Sequence, residues 1–145
     1  PFEGTSSRNG HVFSPAEDNV GIFEITLDIP VMGTERKLVE NAATAEAQAQ
    51  LGDLSNQFDY VIFCFPRGSE SKGNSGWLGY AYLNSWAGYY NDNWCSSIST
   101  LGHEIGHNLN LGHSGLGNAE YGDTIGIMGY GYNKDDTPLK CFNGP

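Results

Sequence analysis

The run His103-Glu104-Ile105-Gly106-His107-Asn108-Leu109-Asn110-Leu111-Gly112-His113 constrains this chain more than any other stretch. On a helix His103 and His107 are one turn apart, so both imidazoles leave the same face. Glu104 sits beside them, close enough to reach a metal-bound water without being forced to ligate. His113 comes six residues after His107 and cannot reach that face from a continuing helix. The helix must therefore stop and the chain must turn back. Asn110 is the best substitute for glycine in a left-handed helix cap, and Gly112 loosens the turn that follows. Three histidine ligands leave the fourth position of a tetrahedral zinc to water, which is the pattern of a catalytic site. The metal lowers the pKa of that water and polarises a substrate carbonyl. Glu104 is then placed to take the proton as general base and to return it to a leaving amine. The expected ligands of one catalytic Zn2+ are His103, His107 and His113, with Glu104 as the catalytic base.

Fifteen residues after His113, Gly126-Ile127-Met128-Gly129-Tyr130 holds a methionine in a tight, glycine-flanked turn. Tyr130 resembles the tyrosine that astacin-like metzincins place near zinc after such a turn, and the resemblance makes it a further catalytic candidate, near the metal or at the oxyanion of a tetrahedral intermediate. A packed aromatic with a hydrogen-bonded hydroxyl is the other reading of it.

The zinc string and the following methionine resemble the extended metzincin motif, His-Glu-x-x-His-x-x-Gly-x-x-His followed by a Met-turn. Asn110 stands where that pattern has glycine; asparagine tolerates positive φ at modest cost. Further words point within the metzincins to the gametolysin family, peptidase family M11. They are Trp77-Leu78-Gly79-Tyr80-Ala81-Tyr82, His113-Ser114-Gly115, Tyr121-Gly122-Asp123, Met128-Gly129-Tyr130 and Cys141-Phe142-Asn143. The resemblance implies a zinc endopeptidase that is secreted or faces the cell exterior and acts on cell-wall or matrix glycoproteins. It implies that Met128 forms an apolar floor beneath the metal. It also implies that the strand Trp77–Leu83 is the upper rim of a cleft, where an extended peptide adds by backbone hydrogen bonds. Trp77, Gly79 and Ala81 are the substrate-binding candidates, the two small residues keeping that edge open.

A chain of 145 residues suits one domain with a single core. The expected organisation is a catalytic domain over 1–145, with an upper part (1–113) carrying the zinc helix and a shortened lower part (114–145) carrying the Met-turn. Nine of the twenty glycines fall between Gly102 and Gly131, so that region is expected to be mostly turns. The net charge of −10 argues against nucleic acid or an anionic membrane surface as partner, since both need basic patches. No apolar run approaches the roughly 18 residues of a membrane span. A monomer acting on protein or peptide is the expected state. The chain begins at Pro1 and has seventeen residues after Met128 without a helical pattern, which reads as a processed or excised domain. The C-terminal helix that the metzincin resemblance implies is either absent or carried by a longer chain of which this is a fragment.

The order of elements reads as α/β (α+β) of metzincin type: a twisted mixed sheet, an N-terminal helix and a zinc helix, then a short irregular part. Phe23, Ile25, Leu27 and Ile29 alternate with polar residues as in a half-buried strand. Thr34 is placed to cap a helix with the apolar stripe Leu38, Ala42, Ala45 and Ala49, stopped by Gly52. Tyr60–Phe65 reads as a central strand covered on both faces, and Ser69–Gly76 as a polar loop. Tyr89–Trp94 reads as a short strand and Ser96–Thr100 as the cap of the zinc helix. Gly102 and Gly106 inside that helix imply close packing against the sheet. Cys64 reads as a small buried apolar residue. Cys95 and Cys141 are the expected disulfide, with a partner beyond the chain as the competing pairing for either. His11 reads as a surface residue and Asp135–Asp136 as a solvated turn. Asp123 is a candidate to orient a ligand histidine.

The reading that follows is a zinc-dependent endopeptidase cleaving internal bonds of extracellular proteins through a zinc-bound water activated by Glu104. The alternative is an inactive zinc-binding module that binds proteins or glycoproteins; an amidase for small molecules is a third.

Overall fold

A computed structural model describes residues 22–66, 69, 77–130 and 142. His11, Asp135, Asp136, Cys141 and most of the loop after Ser69 lie outside the described residues. The elements are α1 (Arg36–Leu51), α2 (Leu54–Gln57), β1 (Val61–Phe65), β2 (Gly79–Ala81), β3 (Ala87–Asn91), a 3-10 turn (Asp92–Ser96) and α3 (Ile98–Asn108). The sheet order is β1-β3-β2, with β1 parallel and β2 antiparallel to β3.

This order overturns the placement of Tyr60–Phe65 at the centre. Every residue of β3 is buried, whereas Ile62 and Cys64 on β1 face outward. The apolar run was a poor guide because one of its faces is covered only in part. The central strand is instead Ala87-Gly88-Tyr89-Tyr90-Asn91, whose small residues admit neighbours on both faces. Tyr89–Trp94 accordingly divides into the end of β3 and the 3-10 turn.

On one face α1 buries Val39, Ala43 and Ala47 against Phe63, Phe65, Tyr89 and Leu54. Phe63 and Tyr80 each stack on Tyr89 at 5.1 Å between ring centroids. The buried stripe is thus displaced from the expected one, and Leu38, Ala45 and Ala49 are exposed. The cap moves with it: the Glu35 carboxylate, not Thr34, accepts from the Lys37 and Leu38 N–H groups. A glutamate reaches two orphan donors of the first turn and also favours the positive helix end. Gly52 stops the helix at φ +81° as expected.

Residues 23–29 form no strand among the described residues. Ile25, Leu27 and Ile29 nevertheless pack against the core, while Glu24, Thr26 and Asp28 are exposed. The alternation reported one-sided burial, which an extended segment supplies without a ladder.

Cys64 pairs with Cys95, with 5.8 Å between Cα atoms, so neither the Cys95–Cys141 pairing nor the buried-thiol reading of Cys64 holds. Parallel register sets Cys64 beside Tyr90. The 3-10 turn then folds Cys95 back over the outward face of β1. That proximity is a product of strand order and has no signature in cysteine spacing.

Candidate metal centre

Helix α3 starts where the sequence allows it. Ser97 is the N-cap, its hydroxyl accepting from the Thr100 N–H. Its other end decides the site. Asn110 adopts φ +69°, Asn110 N–H donates to His107 O and Leu111 N–H donates to Gly106 O, each at 2.9 Å. Together these form a Schellman motif with asparagine in the left-handed position. The chain reverses there as the spacing required, and Gly112 needs no left-handed conformation to follow it. Asn110→Ala is expected to cost about 1 kcal/mol, while Asn110→Gly should be neutral or slightly stabilising. Thermal melts of the two variants check this.

The reversal carries His113 back over the helix. Ring centroids of His103, His107 and His113 lie 4.9, 5.3 and 4.7 Å apart in the three pairs. One candidate ligand atom from each falls within 4.8 Å of the others. Each Nδ1 has a hydrogen-bonding acceptor: Ile127 O for His103 (2.7 Å), Leu111 O for His107 (2.8 Å) and a Glu120 carboxylate oxygen for His113 (2.6 Å). An Nδ1–H that donates leaves the lone pair on Nε2, the tautomer a metal ligand needs. Burial pushes the His103 pKa down to about 4 and lowers that of His107. Both rings are therefore neutral at physiological pH, as ligation requires. By donor type, tautomer and convergence, these three residues fit a zinc ion.

Glu104 is buried beside them. Its carboxylate accepts from the Ala81 backbone N–H, yet burial outweighs this and pushes its pKa up to about 8. Its Oε2 has no hydrogen-bond partner among the described residues. A carboxyl group poised near neutrality can both take and give a proton. Gly79 lies against it, since a Cβ there would stand 3.3 Å from Glu104 Cγ. β2 therefore lines the site with its two small residues, and its outer edge has no partner strand among the described residues. Trp77 leads into this strand, its carbonyl accepting from Asn91.

Met128 lies directly beneath α3 and is 2% exposed. A Cβ at Gly106 would overlap the Met128 sulfur and approach Phe142 to 2.9 Å, while one at Gly102 would meet Ile127 at 3.0 Å. The helix glycines thus make room for the methionine turn and not for the sheet, which corrects the expected packing partner. Asp123 builds that turn. It accepts from the Ile125 and Gly126 N–H groups and the Ser114 hydroxyl, and its carbonyl accepts from Tyr130 N–H at 2.8 Å. A carboxylate held on a candidate ligand histidine is that of Glu120, on His113, which sequence reasoning missed. A bridge between Leu116 and Ala119 folds Glu120 and Tyr121 back beside His113, and only the closed loop reveals it. Tyr121 is the aromatic set against that ring, 4.0 Å between centroids. Tyr130 is half exposed at the end of the methionine turn.

A depression of about 430 Å3 lined by Lys37, Glu40, Thr44, Tyr82 and Trp86 lies between α1 and the sheet and includes none of these histidines. Its charged groups are satisfied within the protein: Glu40 accepts from Lys37, Tyr80 and Tyr82.

A helix-borne histidine pair, a third histidine returning from a loop and a buried carboxylate between helix and strand make up the arrangement of metal-dependent hydrolases. The chain belongs to the gametolysin peptidase M11 family, whose profile matches residues 19–140. It is 34% identical over 91 residues to an Autolysin of Chlamydomonas reinhardtii, an alignment covering 58% of this chain and 13% of that protein. No solved structure matches the chain.

Proposed function

We propose that this chain is a metzincin-type zinc endopeptidase domain over residues 1–145, hydrolysing internal bonds of extracellular or cell-wall proteins. The observation that carries the reading is the convergence of three histidines, each with its Nδ1 engaged, next to the buried Glu104 of α3. His103, His107 and His113 hold the ion. When bound, zinc supplies a Lewis acid for the carbonyl and acidifies the attacking water.

The chain's own groups do the rest. Glu104 takes a proton from the attacking water as the C–O bond forms and delivers it to the amide nitrogen as the C–N bond breaks. β2 offers its free edge to an extended peptide, with Gly79 and Ala81 keeping side chains out of the way and Trp77 at its start. Tyr130 is assigned to the oxyanion. Met128 underlies the ligands and keeps their support apolar. The Cys64–Cys95 disulfide supports an oxidising, extracellular compartment. The described helices include none long and apolar enough to cross a membrane.

The test is cleavage of a denatured protein by the zinc-loaded chain, beside Glu104→Ala and chelator controls. Cleavage lost in both controls supports the reading. A chain that binds one zinc and cleaves nothing would overturn it in favour of a binding module. Peptides of increasing length separate a peptidase from an amidase, because a strand edge rewards length with rate. The Glu120 contact has its own expected signature. Glu120 is largely exposed, so Glu120→Gln should weaken zinc binding by about tenfold, the lower end for such outer partners. Competition with a chromogenic chelator measures it.

A further inference from the structure

Glu40 is the buried carboxylate that the chemistry above leaves unused. It lies on α1 and is 5% exposed. Its Oε2 accepts from the Tyr80 hydroxyl at 3.0 Å and from the Tyr82 hydroxyl at 2.9 Å. Its Oε1 accepts from Lys37 Nζ, which also donates to the Tyr82 hydroxyl at 3.1 Å. The cations of the first turn close over both rings. The Arg36 guanidinium stands 4.3 Å from the Tyr80 centroid, and Lys37 Nζ 4.9 Å from that of Tyr82. A strand such as β2 needs anchors of this kind. It is three residues long, begins with glycine and pairs only with β3 among the described residues. So short a strand, held on one edge, opens easily. Side chains alternate across it, so Tyr80 and Tyr82 reach α1 while Gly79 faces the site, its Cβ position 3.3 Å from Glu104 Cγ. One carboxylate on the far face thus grips the strand at two points, with Ala81 between them.

We propose that Glu40 is a positioning residue for the peptide-binding edge: through Tyr80 and Tyr82 it holds β2 in place before an extended peptide adds to it. Glu40 itself touches neither the peptide nor the reacting atoms. A carboxylate suits the task, because one oxygen can take two hydroxyls at once and a charged acceptor binds each about twice as strongly as a neutral one. A peptide that meets a preformed edge does not spend binding energy on ordering the strand. The gain therefore depends on how much of the edge the peptide covers. It is also why a carboxylate stands on the buried stripe of α1, where it would be costly without partners. The inference rests on the proposed role of β2 as the peptide-binding strand.

The test compares Glu40→Gln and the double variant Tyr80→Phe/Tyr82→Phe with the native zinc-loaded chain, by amide hydrogen exchange and by kinetics on peptides of increasing length. Phenylalanine keeps both rings and removes only the hydroxyls that grip Glu40. Thr44→Val is the control: it breaks the neighbouring bond from α1 to the sheet, 3.1 Å between the Thr44 and Tyr89 hydroxyls, which ends on β3. In both test variants the amides of residues 79–82 should exchange about tenfold faster, with those of β1 unchanged. KM for a peptide long enough to span β2 should rise about tenfold with kcat within about twofold. A short peptide that covers only the scissile bond should keep its native KM, and Thr44→Val should leave the exchange of 79–82 and every KM native. Native exchange in the test variants would overturn the anchoring. A long-peptide KM that stays native, or rises as much for the short peptide or in Thr44→Val, would overturn the positioning role. If the native chain cleaves nothing, the peptidase reading fails and the positioning role falls with it. Exchange still decides whether Glu40 holds the strand.

Discussion

Glu104→Gln is expected to lower kcat by about a thousandfold, close to 4 kcal/mol of transition-state stabilisation, while the chain still binds one zinc. The two effects part because the glutamate is not among the three ligand positions. An amide keeps the shape and can still accept the Ala81 N–H, yet it cannot take up a proton. Burial, which lifts the Glu104 pKa to about 8, penalises the charged carboxylate and not its amide. The metal-free variant should therefore be at least as stable as the native chain. Zinc titration, a melting curve and steady-state rates on one preparation check all three points. Retained activity at native levels would remove Glu104 from the chemistry. Loss of zinc with loss of activity would make it a structural part of the centre.

Gly129→Ala is expected to destabilise the protein by about 3 kcal/mol or more, a fall in Tm of about 10 °C. A Cβ at Gly129 would run into the backbone carbonyl of Asp123. That carbonyl cannot swing away cheaply, because it accepts from Tyr130 N–H while the Asp123 side chain is tied to Ser114, Ile125 and Gly126. The strain passes to neighbours of two of the candidate ligand histidines. Ser114, next to His113, donates its N–H to Met128 O at 2.7 Å, and Ile127 O holds the Nδ1 of His103. Zinc affinity should fall along with stability. Gly112→Ala is the matched control, since a Cβ there meets nothing within 4 Å and the change should stay within about 0.5 kcal/mol. Equal melting temperatures for the two variants would contradict this account of the methionine turn.

These two expectations differ in where they came from. The role given to Glu104 was visible as a string of letters, because ligand spacing on a helix is set by 3.6 residues per turn and needs no partner. The left-handed turn at Asn110 was legible for the same reason: a reversal before His113 was forced, and few side chains tolerate positive φ. The α1 termination at Gly52 and the capping of α3 near Ser97 are also local events, written in one or two residues.

What failed to be legible was everything that depends on elements meeting. The buried face of α1 was misread because Val39, Ala43 and Ala47 compete with an alanine series that fits the same period. β1 was placed at the centre although composition cannot tell an edge strand from a covered one. The pairing of Cys64 with Cys95, the turn of Glu120 onto His113 and the seating of Met128 under Gly106 all join residues through loops whose path has no local code.

By itself, then, the sequence determined the donor set, its order and the need for a helix that stops and reverses, since backbone geometry alone enforces these. Tertiary structure alone decided what surrounds that set: which acceptor holds each Nδ1, which strand backs the glutamate and which glycine admits the methionine. Such contacts depend on packing between segments far apart in the chain, where distance is fixed by the fold and not by the count of residues between them.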